Sequence, residues 1–274
     1  MPLLFLASVL LRSINQIKSW IICRALAMNT LSESVMTAFR LIMSADPLLF
    51  AIVMRSLAVS ACACVLACGA GVMAGAWLAV ARFRGRECVL ILLNTSLALP
   101  SVVVGLVVYL LLSHSGPLGF LGWLFSFKAM VLAQAALVFP IVTALVRQTI
   151  SDAEAQHGEQ LRSLRARTWL RSLLLVWDER FALLTIMIAG FGRAVSEVGA
   201  VMVVGGNIEG YTRVMTTAIA LETSKGDLPL ALALGVILLA VVLVLNLLAA
   251  VVRRWRERRD AGLSGLFRST EAGT

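Results

Sequence analysis

Long apolar blocks separated by short polar segments dominate the pattern of this chain. Five blocks carry few or no charges, and they cover residues 56–81, 88–112, 129–146, 181–206 and 228–252. A helix of roughly 17–25 apolar residues crosses the hydrocarbon core of a membrane, and each block reaches that length. The blocks do not alternate apolar and polar positions as a transmembrane strand would. The pattern therefore predicts an all-α, polytopic membrane protein with five transmembrane helices.

The composition agrees with a membrane protein. Hydrophobic residues make up 60% of the 274 residues and charged residues 14%, whereas soluble domains average roughly 45–50% and 25%. The net charge of +9 is not accompanied by a platform of aromatic and basic residues, so we expect no nucleic-acid partner.

Basic residues are concentrated in every second polar segment. The segments that follow the first, third and fifth blocks hold fifteen arginines, within residues 82–86, 147–180 and 253–268. The other two connecting segments hold only Lys128, Arg213 and Lys225. Because cytoplasmic loops carry the excess of basic residues, this pattern predicts an external N-terminus and a cytoplasmic C-terminus.

The residues before the first block fit the pattern poorly. Residues 1–36 contain an apolar run that is too short to span a membrane and is followed by basic residues, and we expect an upstream extension or a loosely ordered segment. Residues 37–55 are expected to form an amphipathic lead-in helix, with a helix start at Asp46 and Pro47. A transmembrane domain over 56–252 and a basic cytoplasmic tail over 253–274 complete the predicted organisation.

Arg193 and Glu197 lie inside the fourth block. A charge at membrane depth is costly, so such residues usually pair with each other or face a cavity. Their spacing of four places them on one face of a helix. Two interpretations stay open: an ion pair that only fixes helix packing, and a helix that lines a polar pathway.

The cytoplasmic segment 147–180 is more than a basic loop, since it also carries five acidic residues. At helical spacing it presents an apolar strip beside its arginines. The strip consists of Leu161, Leu164, Trp169, Leu170 and Leu173. Such a helix either lies on the lipid surface or docks a cytoplasmic partner.

Residues with catalytic or metal-binding chemistry are few. Cys64 and Cys68 share a helix face among small apolar neighbours, where close helix packing is the simpler interpretation, and we expect no metal site. His114 and His157 lie in different loops. The chain has no G-x-x-x-x-G-K-[ST] phosphate-binding loop, so we expect no nucleotide or other cofactor on it. A membrane-embedded enzyme and a passive channel or scaffold are the alternatives from other functional classes.

The order of these parts resembles the permease subunit of bacterial type I ATP-binding-cassette importers. That family carries a docking motif, Glu-Ala-Ala, three residues, Gly, nine residues, Ile-x-Leu-Pro, in the corresponding cytoplasmic loop. The motif places Glu159 on its Glu, Leu161 on its second Ala and Arg165 on its Gly. Only Glu159 is identical, so the match is in spacing more than in letters. The resemblance implies that the ATPase docks on Glu159, Leu161, Leu164, Arg165 and Trp169.

Two longer stretches are similar to the permeases of tungstate importers, namely residues 93–122 and 192–227. Related molybdate permeases have Gly-Glu-Phe-Gly-Ala where this chain has Ser-Glu-Val-Gly-Ala at 196–200. The resemblance implies a tungstate permease, with molybdate or another oxyanion as the alternative.

The resemblance also implies the assembly: a non-catalytic homodimer in the bacterial cytoplasmic (inner) membrane, a separate ATPase dimer that binds ATP, and an external substrate-binding protein. In that role, Pro100 would interrupt the second span, and hydroxyl donors and close-packed glycines would meet the anion. The pathway or gate candidates are Thr95, Ser96, Pro100, Ser101, Arg193, Ser196, Glu197 and Gly199.

Overall fold

The computed structural model describes residues 35–40, 42–44, 46–163 and 167–271, and these ranges are helical apart from short connections. Three of their helices are long and apolar enough to cross a membrane, and the number rises to five if each of two bent helix pairs is one span. The all-α prediction is confirmed for this part of the chain. Nearly all of the predicted extension 1–36 lies outside the described residues, as do Leu164 and Arg165.

The first long helix, α1, spans Pro47–Val80. Its start agrees with the sequence, because the Asp46 carboxylate accepts hydrogen bonds from the backbone N–H groups of Leu48 and Leu49 at 2.8 and 3.2 Å. Residues 37–55 do not form the single lead-in helix that the sequence predicted. Residues 35–40 are a separate helical segment, and residues 47–55 belong to α1, since the Asp-Pro pair starts a new helix there.

The second apolar block forms two helices, α2 (Arg86–Leu97) and α3 (Ser101–Leu112). Their axes meet at 106°. Pro100 occupies the N-cap position of α3 in an extended conformation. It therefore breaks the block completely, where the sequence suggested a kink.

The third block lies within α4 (Phe127–Ser163), a helix of 37 residues that continues past the block into the polar segment. A second cytoplasmic-segment helix, α5, spans Thr168–Asp178. The predicted docking strip is therefore divided between the end of α4 and α5 and is not one helix.

The remaining helices are α6 (Arg180–Val195), α7 (Gly199–Gly205), α8 (Met215–Lys225) and α9 (Leu228–Glu271). The fourth block comprises α6 and α7, which are bent by 57° at their junction. Only 17% of the apolar stretch of α9 is buried. Most of that helix is therefore left to face lipid or another subunit.

Helices α1 and α4 form the centre of the structure and run in the same direction. Val59 and Ala63 pack near Met130 at one end, whereas Val80 belongs to the same core cluster as Ile150 at the other. Between these points, a Cβ added to Gly75 would lie 2.7 Å from the Thr143 carbonyl oxygen, so glycine allows the close contact. The parallel arrangement places the connections that follow α1 and α4 on the same side of the structure.

Candidate functional site: the meeting point of two broken helices

The two bent helix pairs, α2–α3 and α6–α7, meet at their interruptions. The first turn of α3 lies against the first turn of α7, with so little space that a Cβ added to Gly199 would lie 2.9 Å from Ser101 Oγ. One turn later, a Cβ added to Gly105 would lie 2.7 Å from the Cα atom of Ala200. The structure therefore brings together Ser101 and Gly199 from distant parts of the sequence, with Pro100 directly before them.

Arg193 and Glu197 form the predicted ion pair, with Arg193 Nη1 and Glu197 Oε2 2.6 Å apart. Their environments differ, because the Glu197 side chain is only 4% exposed and that of Arg193 is 43% exposed. The expectation that both lie on one continuous helix was wrong. Helix α6 ends at Val195, and Glu197 lies in the break before α7.

Contacts at the break account for the buried position of Glu197. Its Oε1 accepts the Ala200 N–H in the first turn of α7, at 3.3 Å, and a carboxylate is favourable at the start of a helix. Its backbone carbonyl accepts a hydrogen bond from Thr216 Oγ1 at 2.7 Å. Glu197 therefore joins the Arg193 side chain, α7 and α8.

Helix starts have a defined electrostatic character. The first amide groups of a helix have no partner within that helix, and the helix dipole adds partial positive charge there. Discontinuous helices that present such ends at membrane depth favour anionic ligands. At the meeting point the start of α3 has this arrangement, whereas the start of α7 already holds the Glu197 carboxylate, which is paired with the half-exposed guanidinium of Arg193.

The hydroxyl groups predicted as donors are engaged within their own helices. Thr95 and Ser96 each donate to a backbone carbonyl four residues earlier, at 2.8 Å. Ser196 Oγ donates to the carbonyls of Gly192 and Arg193, at 3.0 and 3.1 Å. These bonds are typical of serine and threonine in helices. In this conformation the three hydroxyl protons point to protein carbonyls.

Gln134 contributes to the site although the sequence assigned it no role. It is buried in α4, and its Nε2 donates to the Ala194 carbonyl in the last turn of α6, at 2.9 Å. A lone amide inside an otherwise apolar block was the available signal, since a polar group at membrane depth needs a partner. This bond fixes α6 against α4 directly before the break.

The predicted docking residues lie at the far end of α4 and in α5. Glu159 is exposed, Leu161 packs partly against the main core cluster, and the Trp169 side chain is 62% exposed. Leu164 and Arg165, between the two helices, are outside the described residues. Of the predicted set, Glu159 and Trp169 are accessible to a partner.

An ion pair that the sequence analysis did not identify joins α4 to α5. The Arg171 guanidinium donates to the Glu154 carboxylate, and both side chains are close to nine-tenths buried. Helix α5 is also held against α1, since Leu175 is buried and Ser172 Oγ donates to the Ala76 carbonyl at 3.3 Å. The polar end of α4 is therefore connected to the membrane-spanning helix α1 through α5.

The opposite end of the structure is fixed by a second group of charges. The Arg55 guanidinium in α1 donates to the carbonyls of Gly210 and Arg213, at 2.7 and 3.3 Å. Arg213 is itself buried and lies 3.8 Å from the Glu222 carboxylate, which also pairs with Lys225 at 3.1 Å. This network holds the segment between α7 and α9 in a defined shape.

Comparison with known proteins places the chain in a family of transport components. Residues 71–259 match the model for the binding-protein-dependent transport system inner membrane component. The chain is 39% identical to the tungstate uptake system permease protein TupB of Peptoclostridium acidaminophilum, over 80% of this chain and 96% of that protein.

Two further relatives are named as permease proteins for an anion and for molybdenum. The chain is 38% identical to a probable anion ABC transporter permease protein of Haloferax volcanii, over 74% of this chain and 88% of that protein. It is 30% identical to the molybdenum transport system permease protein ModB of Escherichia coli K12, over 64% of this chain and 81% of that protein. Together with its apolar helices, these relatives identify a multi-pass protein of the cytoplasmic membrane. The chain belongs to the family of inner membrane components of binding-protein-dependent transport systems.

Proposed function

We propose that this chain is the permease subunit through which an ATP-driven importer moves tungstate across the cytoplasmic membrane. The observation that carries the proposal is the 39% identity to a tungstate uptake permease over 96% of that protein's length. The identity to a molybdenum permease is lower, 30%, and extends over less of this chain. Molybdate is the second candidate because its permeases share the same family.

In this role each chain has five spans, with the N-terminus outside and the C-terminus in the cytoplasm. The bent pairs α2–α3 and α6–α7 each count as one span. The parallel course of α1 and α4 supports this topology, because alternate spans of a polytopic protein run in the same direction. The basic residues that follow both helices then lie in the cytoplasm.

Two copies form the transport pathway around a two-fold axis. The exposed apolar faces of α3 and α9 support this, since residues such as Leu106, Leu110 and Leu239 are between 49% and 70% exposed in the single chain. An external binding protein selects the anion and delivers it to the fixed segment between α7 and α9. The ATPase dimer docks from the cytoplasm at the end of α4, around Glu159 and Trp169.

The meeting point of α3 and α7 is the proposed passage for the anion. Backbone amides and partial helix charges attract a dianion without the tight binding that a cluster of free cations would cause. ATP binding closes the ATPase dimer, and the α4–α5 connection conveys that motion to α1. The breaks in the two spans then open outward, and ATP hydrolysis on the partner subunit resets the inward-facing form.

The test is ATPase stimulation in the reconstituted complex of permease, ATPase and binding protein. We expect the binding protein loaded with tungstate to raise ATP hydrolysis and to drive uptake of labelled tungstate into vesicles. The same binding protein without an anion is the control. Equal or greater stimulation with molybdate would shift the substrate assignment to molybdate. Stimulation by neither anion would contradict the oxyanion assignment.

A further inference from the structure

A polar pocket lies where α1 turns into α2. Its volume is about 300 Å³, and it is lined by the last residues of α1, by Arg82 and Arg86, and by Ser151, Glu154 and Ala155 of α4. The pocket is therefore a corner between three helices, at the end of the structure that carries the basic segments.

The charge of this pocket is positive. Arg86 Nε donates to the Leu78 carbonyl at 3.3 Å, which holds the guanidinium against the end of α1. The carboxylate paired with Arg86 belongs to Glu87, which is 3.6 Å away and 81% exposed, and such exposed pairs bind weakly. Glu154 is the acidic residue of the lining, and its charge is balanced by Arg171. Arg82 has no ion pair among the described residues.

An apolar groove of about 650 Å³ lies beside the pocket, along the apolar parts of the helices. Helix α3 joins the same three helices in its lining, which includes Leu78 of α1, Leu92 of α2, Val107 of α3 and Phe139 of α4. Leu78 connects the two cavities, because its side chain lines the groove and its carbonyl binds Arg86. A basic pocket and an apolar groove therefore lie next to each other on the same group of helices.

Two aromatic rings lie near these cavities, since Trp77 lines the groove and Phe83 directly follows Arg82 of the pocket. Trp77 and Phe83 stack with their ring centroids 5.1 Å apart, and tryptophan is enriched where a membrane's hydrocarbon meets its headgroups. The boundary between polar and apolar lining therefore coincides with the expected headgroup level.

We propose that this corner binds one anionic phospholipid. The phosphate contacts Arg82, Arg86 and the Ser151 hydroxyl, and an acyl chain lies in the groove between α1, α2, α3 and α4. Basic pockets between helices on the cytoplasmic side are a known means of binding anionic headgroups. The orientation proposed above places this lipid in the cytoplasmic leaflet, but the site itself does not depend on the transported anion.

The experiment measures lipid retention by native mass spectrometry of the purified permease–ATPase complex. Delipidated complex is incubated with phosphatidylglycerol or with phosphatidylcholine. We expect preferential retention of phosphatidylglycerol at one molecule per permease. The double variant Arg82→Gln/Arg86→Gln should weaken that retention about 25-fold. Each arginine near an anionic headgroup contributes roughly 1 kcal/mol, which is about a fivefold change in affinity.

Arg84→Gln is the matched control, because it removes the same charge from the same turn without lining the pocket, and we expect less than a twofold effect. Ala136→Phe tests the groove, since Ala136 lines it and is exposed. It should weaken retention while leaving both arginines in place.

Four results would overturn the proposal. Equal retention of the two lipids would show that charge does not select the occupant. Equal weakening by Arg84→Gln would indicate a general surface charge. If millimolar glycerol phosphate displaced phosphatidylglycerol, the corner would be a site for a free anion. If Ala136→Phe left the lipid count unchanged but abolished the permease dimer, the groove would be a contact with a second copy of the chain.

Discussion

At the scale of single residues, the ion pair at the break in the fourth span is asymmetric. Glu197 is buried and Arg193 is half-exposed, so the cost of removing one partner depends on which of the two is removed. A carboxylate without its cation stays buried, whereas a guanidinium without its carboxylate reaches a more polar environment.

We therefore predict that Arg193→Met is more damaging than Glu197→Gln. Loss of one member of a buried pair costs on the order of 3–5 kcal/mol, and the glutamine can still accept the Ala200 N–H. Folded protein, measured by size-exclusion chromatography in detergent, should fall several-fold for Arg193→Met and less for Glu197→Gln. The double variant should recover much of it.

Transport by the double variant separates the two roles left open by the sequence. Recovery of folded protein with recovered transport would make the pair structural only. We expect folded protein that stays inactive, because the pair lies beside the proposed passage. Additive losses of folded protein in the two single variants would contradict the pairing itself.

Glycine at position 105 is a second residue-scale test. An added methyl group would lie 2.7 Å from the backbone of Ala200, which cannot rotate away. Gly105→Ala should therefore separate α3 from α7 and reduce transport at least tenfold. Gly192→Ala is the control, since nothing lies within 4 Å of its added Cβ, and it should keep near-normal transport. Equal transport by both variants would show that the two helix starts need not touch.

At the scale of helices, the Glu154–Arg171 ion pair is the proposed mechanical link between α4 and α5. Arg171→Met should leave membrane insertion intact but lower the uptake obtained per ATP hydrolysed, because only apolar packing would then hold α5 to α4. The charge-swapped variant Glu154→Arg/Arg171→Glu should restore part of the coupling. The ratio of transport to ATPase rate in vesicles measures this effect, and an unchanged ratio in Arg171→Met would remove the pair from the coupling path.

Helix breaks show how far the sequence could predict the site. Pro100 marks its break chemically, since proline cannot continue a helix hydrogen-bond pattern, so its position was predictable although its 106° angle was not. The break at Glu197 has no such marker. The i,i+4 spacing from Arg193 is equally typical of an unbroken helix, and only the tertiary contacts with Ala200 and Thr216 stabilise the interruption.

Span positions were more predictable than helix lengths. Each apolar block coincides closely with a candidate membrane-crossing helix or with a bent helix pair, because the hydrophobic requirement is local. Extension of α4 to Ser163 and of α1 back to Pro47 depends on helix propensity, capping and packing outside the apolar blocks. The Glu154–Arg171 contact could not be derived, because many charged pairs in segment 147–180 were possible partners.

At the scale of the whole molecule, the proposed topology makes a direct labelling prediction. In a variant without native cysteines, Ser115→Cys lies in the exposed connection after α3 and should react with an impermeant maleimide on intact cells. Arg84→Cys, in the exposed turn after α1, should react only after the membrane is permeabilised. The opposite labelling pattern would invert the orientation, and labelling of both sites from outside would contradict the span count.

The two interruptions also determine which backbone amides of the apolar helices can exchange hydrogen for deuterium. Amide protons inside a continuous span such as 129–146 are locked in hydrogen bonds away from water, whereas the first amides of α3 and α7 have no partner in their own helices. If the passage fills with water during transport, deuterium should reach residues 101, 102, 199 and 201 well before it reaches α4, since the amides of Val103 and Ala200 already donate to Pro100 and Glu197. Exchange at these positions should accelerate when the complex turns over ATP. Uniformly slow exchange over all helices would mean that solvent never reaches the junction. Amide exchange at the two helix starts therefore measures whether the passage is hydrated.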